Sequence, residues 1–488
     1  MGYWNVATVG RSARASISIG QSSLVMSRAS TRHNGNAAYD AQSRPSVSLR
    51  LSDHYLVFLM AVLLGYALLG KSFGYLGIPP FFIGEVTLLV GSIIFLRSGC
   101  FLATLATPTS VLLAITMTWV LLRTLPFIGV YGFDAPRDSV IILYGTFALI
   151  VISLLLEDAR RIDTLVHYYA AFVAIFVPAI AVLFNFYRIF LDYLPSFPGQ
   201  AMPLLYLKTG DIGVHLGGVA VFALVGFRKV GWGWMIFFGA AIAPVIASNR
   251  GGMMAAVIPI ILAALLLGKA RQVAILFVAA MIVLATIYSL ETAFTTYEEP
   301  KGSQDRALSA HQIVQNLASV VGQSGHQTEG TKQWRLDWWE IIINDTVYGP
   351  NFWTGRGFGL NLADADNHSS GEKTYQVVAA TRSPHNAHMT ILARAGVPGL
   401  VLWIALLLSW LAMLFNAVAT AWRRGQGDWA RLFIFVLSYA IGFVINASFD
   451  VALEGPMQGI WFWCLFGFGI GSVMIFKAVR APGVLPKC

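Results

Sequence analysis

Apolar runs long enough to cross a bilayer recur from near residue 55 almost to the C-terminus, and this recurrence limits the fold before any motif does. They lie near 55–70, 80–96, 104–122, 139–156, 164–186, 212–227, 231–248, 252–268, 272–290, 391–420, 430–448 and 457–476. About 20 apolar residues span the roughly 30 Å of hydrocarbon as a helix. In lipid a backbone must satisfy its own polar groups, so such runs form helices. Only 12% of the residues are charged, against about 25% in a soluble domain. The expected class is all-α, a polytopic transmembrane helical protein of about 12 spans.

The net charge of +9 reads as topology, not as nucleic-acid binding. Alternate connections carry Arg97, then Arg160 and Arg161, Arg228 and Lys229, Lys269 and Arg271, Arg423, Arg424 and Arg431, and the C-terminal Lys477, Arg480 and Lys487. The opposite short loops carry only Lys71, Arg123, Arg137, Arg188, Lys208 and Arg250. Basic residues concentrate on the cytoplasmic side, so both termini are expected there. The divisions expected are a disordered basic cytoplasmic tail at 1–50, spans one to nine at 51–290, a long periplasmic loop at 291–390, spans ten to twelve at 391–480, and a cytoplasmic tail at 481–488. Residues 1–50 hold six arginines, many serines and one acid, Asp40. With no apolar core they form no secretory signal peptide.

Loops of nearly a hundred residues usually carry function. This one contains the amphipathic "QWRLDWWEIIINDTVYG", expected as a short helix on the membrane surface. The glycine-rich "GPNFWTGRGFGLN" that follows is expected as a tight turn, and Asp364 and Asp366 as solvated loop acids.

Ionisable groups at membrane depth usually mark a site or a substrate path. On the same expected face lie Arg123, Arg137, Arg188, Lys208, Arg250, Asp450 and Glu454. Arg250 precedes Gly251 and Gly252 at a span start. Helix N-termini present free N–H groups, and guanidinium binds phosphate bidentately, so this is a candidate anion seat. A snorkelling interface arginine is the plain alternative. Farther on, Pro384 is expected to open a helix that puts His385 and His388 on one face. Either imidazole suits general-base work near pH 7. HxxH alone does not make a metal site.

The stretch "HNAHMTILARAGVPG" resembles the signature of the O-antigen ligase and polymerase superfamily: His385-Asn386, nine residues, Gly396, two residues, Gly399. "SNRGGMMAAVIP" is similar to the family's Ser-Arg-Gly element, with Asn249 interposed. "RLDWWEIIINDTVYGP…GRGFG" resembles its Arg-x-x-x-Trp element and glycine run, here Arg335, Trp339, Pro350, Gly355, Gly357 and Gly359. "FDVALEGP" looks like its last outer loop. The resemblance covers roughly 50–480. Two positions depart: Arg394 stands where members often carry an acid, and Arg356 sits among the glycines.

The resemblance implies a GT-C-like glycosyltransferase of the bacterial inner (plasma) membrane, without cofactor or metal, that moves a glycan from undecaprenyl diphosphate on the periplasmic face to a saccharide acceptor. The acceptor is the lipopolysaccharide core or a growing surface polysaccharide. Membrane lipid and other polysaccharide-assembly proteins are the implied partners. An exopolysaccharide or capsule repeat-unit polymerase is the rival within the family. The leaving diphosphate gains negative charge, which fixed cations stabilise. His385, Arg250 and Arg335 are the catalytic candidates. Asn386, His388, Arg123, Arg137, Arg188, Arg382 and Asp450 are the substrate-binding ones, and Gly396 and Gly399 the motif glycines. A transporter of polysaccharide or lipid-linked sugar is the alternative of another class. Transporters usually show related halves, and no such repeat is visible.

Overall fold

A computed structural model describes residues 47–186, 189, 193–196, 203–294, 309–320, 326–368 and 382–478. The N-terminal tail expected at 1–50 lies outside these apart from its last four residues, as do the tail at 481–488 and Arg188. All described residues fall in one compact unit, Arg44–Cys488.

The chain is a helical bundle. Its helices are α1 Val47–Leu69, α2 Ile83–Arg97, α3 Pro108–Tyr131, α4 Asp134–Leu143, α5 Gly145–Glu157, α6 Arg161–Asn185, α7 Thr209–Leu224 and α8 Trp232–Ser248. They continue as α9 Arg250–Leu266, α10 Ala270–Phe294, α11 Ala310–Val320, α12 His326–Thr346, the short α13 Leu362–Ala365, α14 Ala387–Arg423, α15 Gly427–Ala447 and α16 Pro456–Ala478. The only sheet among the described residues is a two-residue ribbon, Gly77–Ile78 with Phe81–Phe82.

Each expected span is a helix, or the pair α4–α5, bent by 43°. Among the described residues seven helices are long and apolar enough to cross a membrane, eight with the bent pair as one. The rest of the expected twelve are shorter. α2 has 15 residues, about 22 Å of helix at roughly 1.5 Å per residue. α7, α8 and α9 have 16, 17 and 17. The protein is a multi-pass membrane protein.

α16 is the central post, 94% buried over its most apolar window. α5, α15 and α1 pack around it, and its indoles Trp461 and Trp463 donate to the Leu63 and Ile141 carbonyls. α10, in contrast, has no buried residue.

Small residues set the approach of α7, α9 and α15. A Cβ on Gly213 of α7 would lie 2.4 Å from the Gly252 carbonyl oxygen of α9. A Cβ on Gly442 of α15 would lie 2.9 Å from the Ala255 oxygen. In lipid such small-residue faces let helices pack by close contact. Their consequence is positional: the start of α9, with Arg250, is fixed beside the start of α7 and the end of α15.

α14 is broken at Gly396, whose φ of 73° and ψ of −177° are not helical. Pro398 has no N–H, so a straight helix would in any case leave the Arg394 carbonyl unanswered. The glycine-rich loop fills the break. Arg356 N donates to Ala393 O (2.8 Å), Gly357 N to Arg394 O (3.0 Å) and the Trp119 indole to Ala395 O (3.0 Å). Val397 N donates back to Phe352 O at 2.8 Å. Thus the carbonyls released by the break are bonded, as membrane depth requires.

The amphipathic segment of the long loop is α12. Its Trp338 and Ile342 are fully buried with Leu362, Leu392 and Ala393, so this apolar face lies on α14 and not on lipid as expected. Asp366, expected as a solvated acid, is also internal. It accepts from Arg356 Nη1 (2.6 Å) and the Trp338 indole (2.8 Å).

Candidate functional site

At one end of the bundle, several connections meet around Asp450. α15 ends at Ala447, and Asp450 N closes the following turn on Asn446 O at 2.9 Å. A Cβ on Gly251, the second residue of α9, would come within 2.7 Å of Phe449 Cβ. The turn therefore rests on the start of α9. Lys208, just before α7, places Nζ 3.4 Å from both Asp450 carboxylate oxygens. Lys71 is brought beside Lys208 by backbone pairing: its N–H donates to Tyr206 O at 2.9 Å. Arg335 of α12 donates to the Phe449 carbonyl at 2.8 Å.

His385 Nδ1 lies 3.5 Å from Asp450 Oδ1. The expected shared face of His385 and His388 is not formed. Asn386 is the N-cap, accepting from His388 N (2.9 Å) and Met389 N (3.2 Å), and the helix begins only at Ala387. Asn and Asp are strong caps because the side-chain oxygen answers orphan N–H groups. His385 thus stands outside the helix with φ of 53°, a left-handed conformation uncommon for non-glycine residues and concentrated at functional sites. The Trp339 indole holds the preceding Pro384 carbonyl at 2.9 Å.

His388 is inside the helix and engaged on both nitrogens. Its Nδ1 accepts from the Trp403 indole (2.9 Å), so Nε2 carries the proton and donates to Ser448 Oγ (3.0 Å). Ser448 is two residues from Asp450, so His388 ties the His385 segment to the Asp450 turn. Asn386 and His388 are therefore occupied in building the site.

The electrostatics reinforce the grouping. Burial alone would raise the Asp450 carboxyl, but Lys208 and His385 outweigh it and hold it far below the usual carboxylate range. Burial would lower the Lys208 ammonium, and Asp450 and Asp211 more than reverse that. Lys71 is lowered, by burial and then by Lys208, with Asp450 offsetting part. Arg335 is lowered first by burial. Asp450 opposes this, and Arg250 adds to it. Arg250 and Arg335 therefore sense each other across the site. Lys71 and Arg335 both sit where a further negative charge would be stabilising.

The other expected arginines assemble elsewhere. Asp138 of α4 receives Arg137 (3.1 Å), Arg382 (3.3 Å) and Arg394 (3.0 Å). Asp134 pairs with Arg137 at 2.7 Å and Arg382 at 3.4 Å. Arg382 and Arg394 also donate to the Gly359 and Leu360 carbonyls, and Arg123 donates to Thr354 O at 2.7 Å. Arg123, Arg382 and Arg394 hold the glycine-rich loop on α3, α4 and α14, whereas Arg137 pairs with the two α4 acids. Arg394, which departs from the resemblance, is a member of this clamp. Arg356, the other departure, pins the loop to Asp345 and Asp366, 2.6 Å from each.

Lys71 and Lys208 are not among the catalytic or substrate-binding candidates, although Lys208 is expected on the same face as Asp450. A signal for them exists: both are among the few basic residues that break the charge asymmetry of the connections. Among the described residues no three His, Cys, Asp or Glu side chains gather to hold a metal ion.

Residues 234–404 match the family described as O-antigen ligase. This match, over about a third of the chain, supports the O-antigen ligase and polymerase superfamily. The matched segment contains Arg250, Arg335, His385, Asn386, His388, Gly396 and Gly399, while Lys71, Lys208 and Asp450 reach it from outside. No curated protein matches the chain.

Proposed function

We propose that the protein transfers a glycan from an undecaprenyl-diphosphate carrier to a saccharide acceptor at the bundle end that holds His385. The supporting observation is the convergence of His385, Lys208, Arg335 and Lys71 on Asp450, with Arg250 beside Arg335. An imidazole next to a surplus of fixed cations suits a reaction that removes one proton and releases one dianionic group.

In this reading Asp450 accepts from His385 Nδ1–H and leaves Nε2 as the base. The acceptor hydroxyl loses its proton to Nε2 as its oxygen bonds to the anomeric carbon. The anomeric carbon–phosphate oxygen bond breaks, and the electron pair leaves with the diphosphate. Arg250, Arg335, Lys208 and Lys71 stabilise that growing charge; fixed donors of this kind are worth about 10²–10³ each in kcat. A single displacement inverts the anomeric centre. Asn386 and His388 position His385, and Arg123 and Arg382 fix the glycine-rich loop.

The test gives the purified full chain an undecaprenyl-diphosphate oligosaccharide, an acceptor glycan and EDTA, and looks for joined product by mass spectrometry. Inverted linkage in the product supports the reading. Movement of donor across a vesicle without joining would replace it with transport. Product built from two donor molecules would assign a polymerase within the same chemistry.

A further inference from the structure

α12 carries three tryptophans near the site, and two have their indole N–H committed. Trp338 donates to Asp366 and Trp339 to the Pro384 carbonyl. Trp334 makes no such bond among the described residues and is only half-buried. Its ring stands 6.1 Å from the His385 ring at 64° and 5.7 Å from the half-buried His368 ring at 33°. Trp338 braces it from below at 5.2 Å. The next residue along the helix, Arg335, turns to Phe449 O. Neighbouring positions of one helix thus serve the cation cluster and the flank of the imidazole.

We infer that Trp334 is the platform for the acceptor: a pyranose ring stacks its C–H face on the indole and presents a hydroxyl to His385 Nε2. Sugar rings have an apolar face of axial C–H bonds around a polar rim. A rigid aromatic with an open polar edge matches both, at low entropy cost. The cations cluster around Asp450, on the Nδ1 side of His385. The carrier diphosphate and the acceptor sugar therefore address different edges of the same imidazole. Trp334 is a binding and specificity residue; it moves no proton.

This assignment rests on the transferase reading, and its test separates the two. Saturation-transfer NMR on the full chain in detergent, with no donor present, uses delipidated lipopolysaccharide core oligosaccharide and β-linked glucose oligosaccharides as probes. Transfer to sugar C–H protons is expected in the wild type, absent in Trp334→Ala and retained in Trp334→Phe. In the transfer assay Trp334→Ala is expected to raise the acceptor KM at least tenfold with kcat and donor affinity little changed. Glycan binding that survives Trp334→Ala, or a wild type that binds none of the probes, overturns the platform. So does a Trp334→Phe variant that loses binding along with Trp334→Ala. A wild type that binds glycan through Trp334 but joins nothing sinks the transferase reading and leaves the platform standing.

Discussion

At the scale of single residues, the site works by giving neighbours unlike tasks. Asn386 spends its side chain on the helix cap, and the residue before it is thereby left outside the helix with its imidazole toward Asp450. His385→Gln keeps the size and one hydrogen bond but cannot take a proton. A fall in kcat of ~10²–10⁴ is expected, with donor binding retained, measured by single-turnover transfer. Arg335→Lys keeps the charge and loses the planar fork. A weaker hold on donor diphosphate, read by competition with inorganic pyrophosphate, is the expected result. Asp450→Asn removes the anion that faces both His385 and Lys208. Because the folded Asp450 pKa is depressed, its stabilisation is fully present above the unfolded value of about 3.9 and is lost as pH falls below it. Thermal unfolding should thus separate Asp450→Asn from wild type at pH 7, with the gap starting to narrow only below about pH 4 and closing as pH falls on toward the depressed folded value.

At the scale of elements, the break in α14 and the glycine-rich loop are one unit. A Cβ on Gly396 would fall 2.7 Å from Phe352 O and 2.8 Å from Gly355 N, at a φ of 73°. Gly396→Ala should therefore cost about 1–3 kcal/mol from backbone strain alone, read as a lowered unfolding temperature in detergent, and displace the loop that fills the break. The sequence placed the loop glycines in a tight turn and Gly396 in the His-Asn-Gly signature, but as separate features. Their joining depends on residues up to some 275 positions apart, as in the Trp119–Ala395 bond, and no local pattern encodes such a pairing. The same limit explains Arg394 and Arg356. As isolated charges they read as departures. In the fold their partners are Asp138, Asp345 and Asp366.

At the scale of the whole molecule, alternation of the helices puts Lys71, Lys208, Arg250 and His385 at one end and Arg160, Lys269 and Arg423 at the other. The positive-inside asymmetry predicts that the His385 end faces outward. Cysteine at exposed Tyr348 should react with an impermeant maleimide in intact cells, and cysteine at exposed Gly425 only after permeabilisation. The reverse labelling pattern would place the site on the cytoplasmic face.

Composition and run length by themselves determined that the chain is a helical, multi-pass membrane protein, because lipid allows few other ways to satisfy a backbone. Motif order pointed to the ligase family, and His385, Arg250 and Arg335 were the residues expected to serve the chemistry that a diphosphate leaving group would demand. Only the tertiary structure decided which charges are available to a substrate. Arg137 and Arg382 look equivalent to Arg335 in sequence, yet they are ion-paired with Asp134 and Asp138, while Arg335, bonded to the Phe449 carbonyl, lies within the electrostatic reach of Arg250 and Asp450. A charge becomes structural or functional according to which partner reaches it, and those partners come from helices distant in sequence that close packing of small residues brings together.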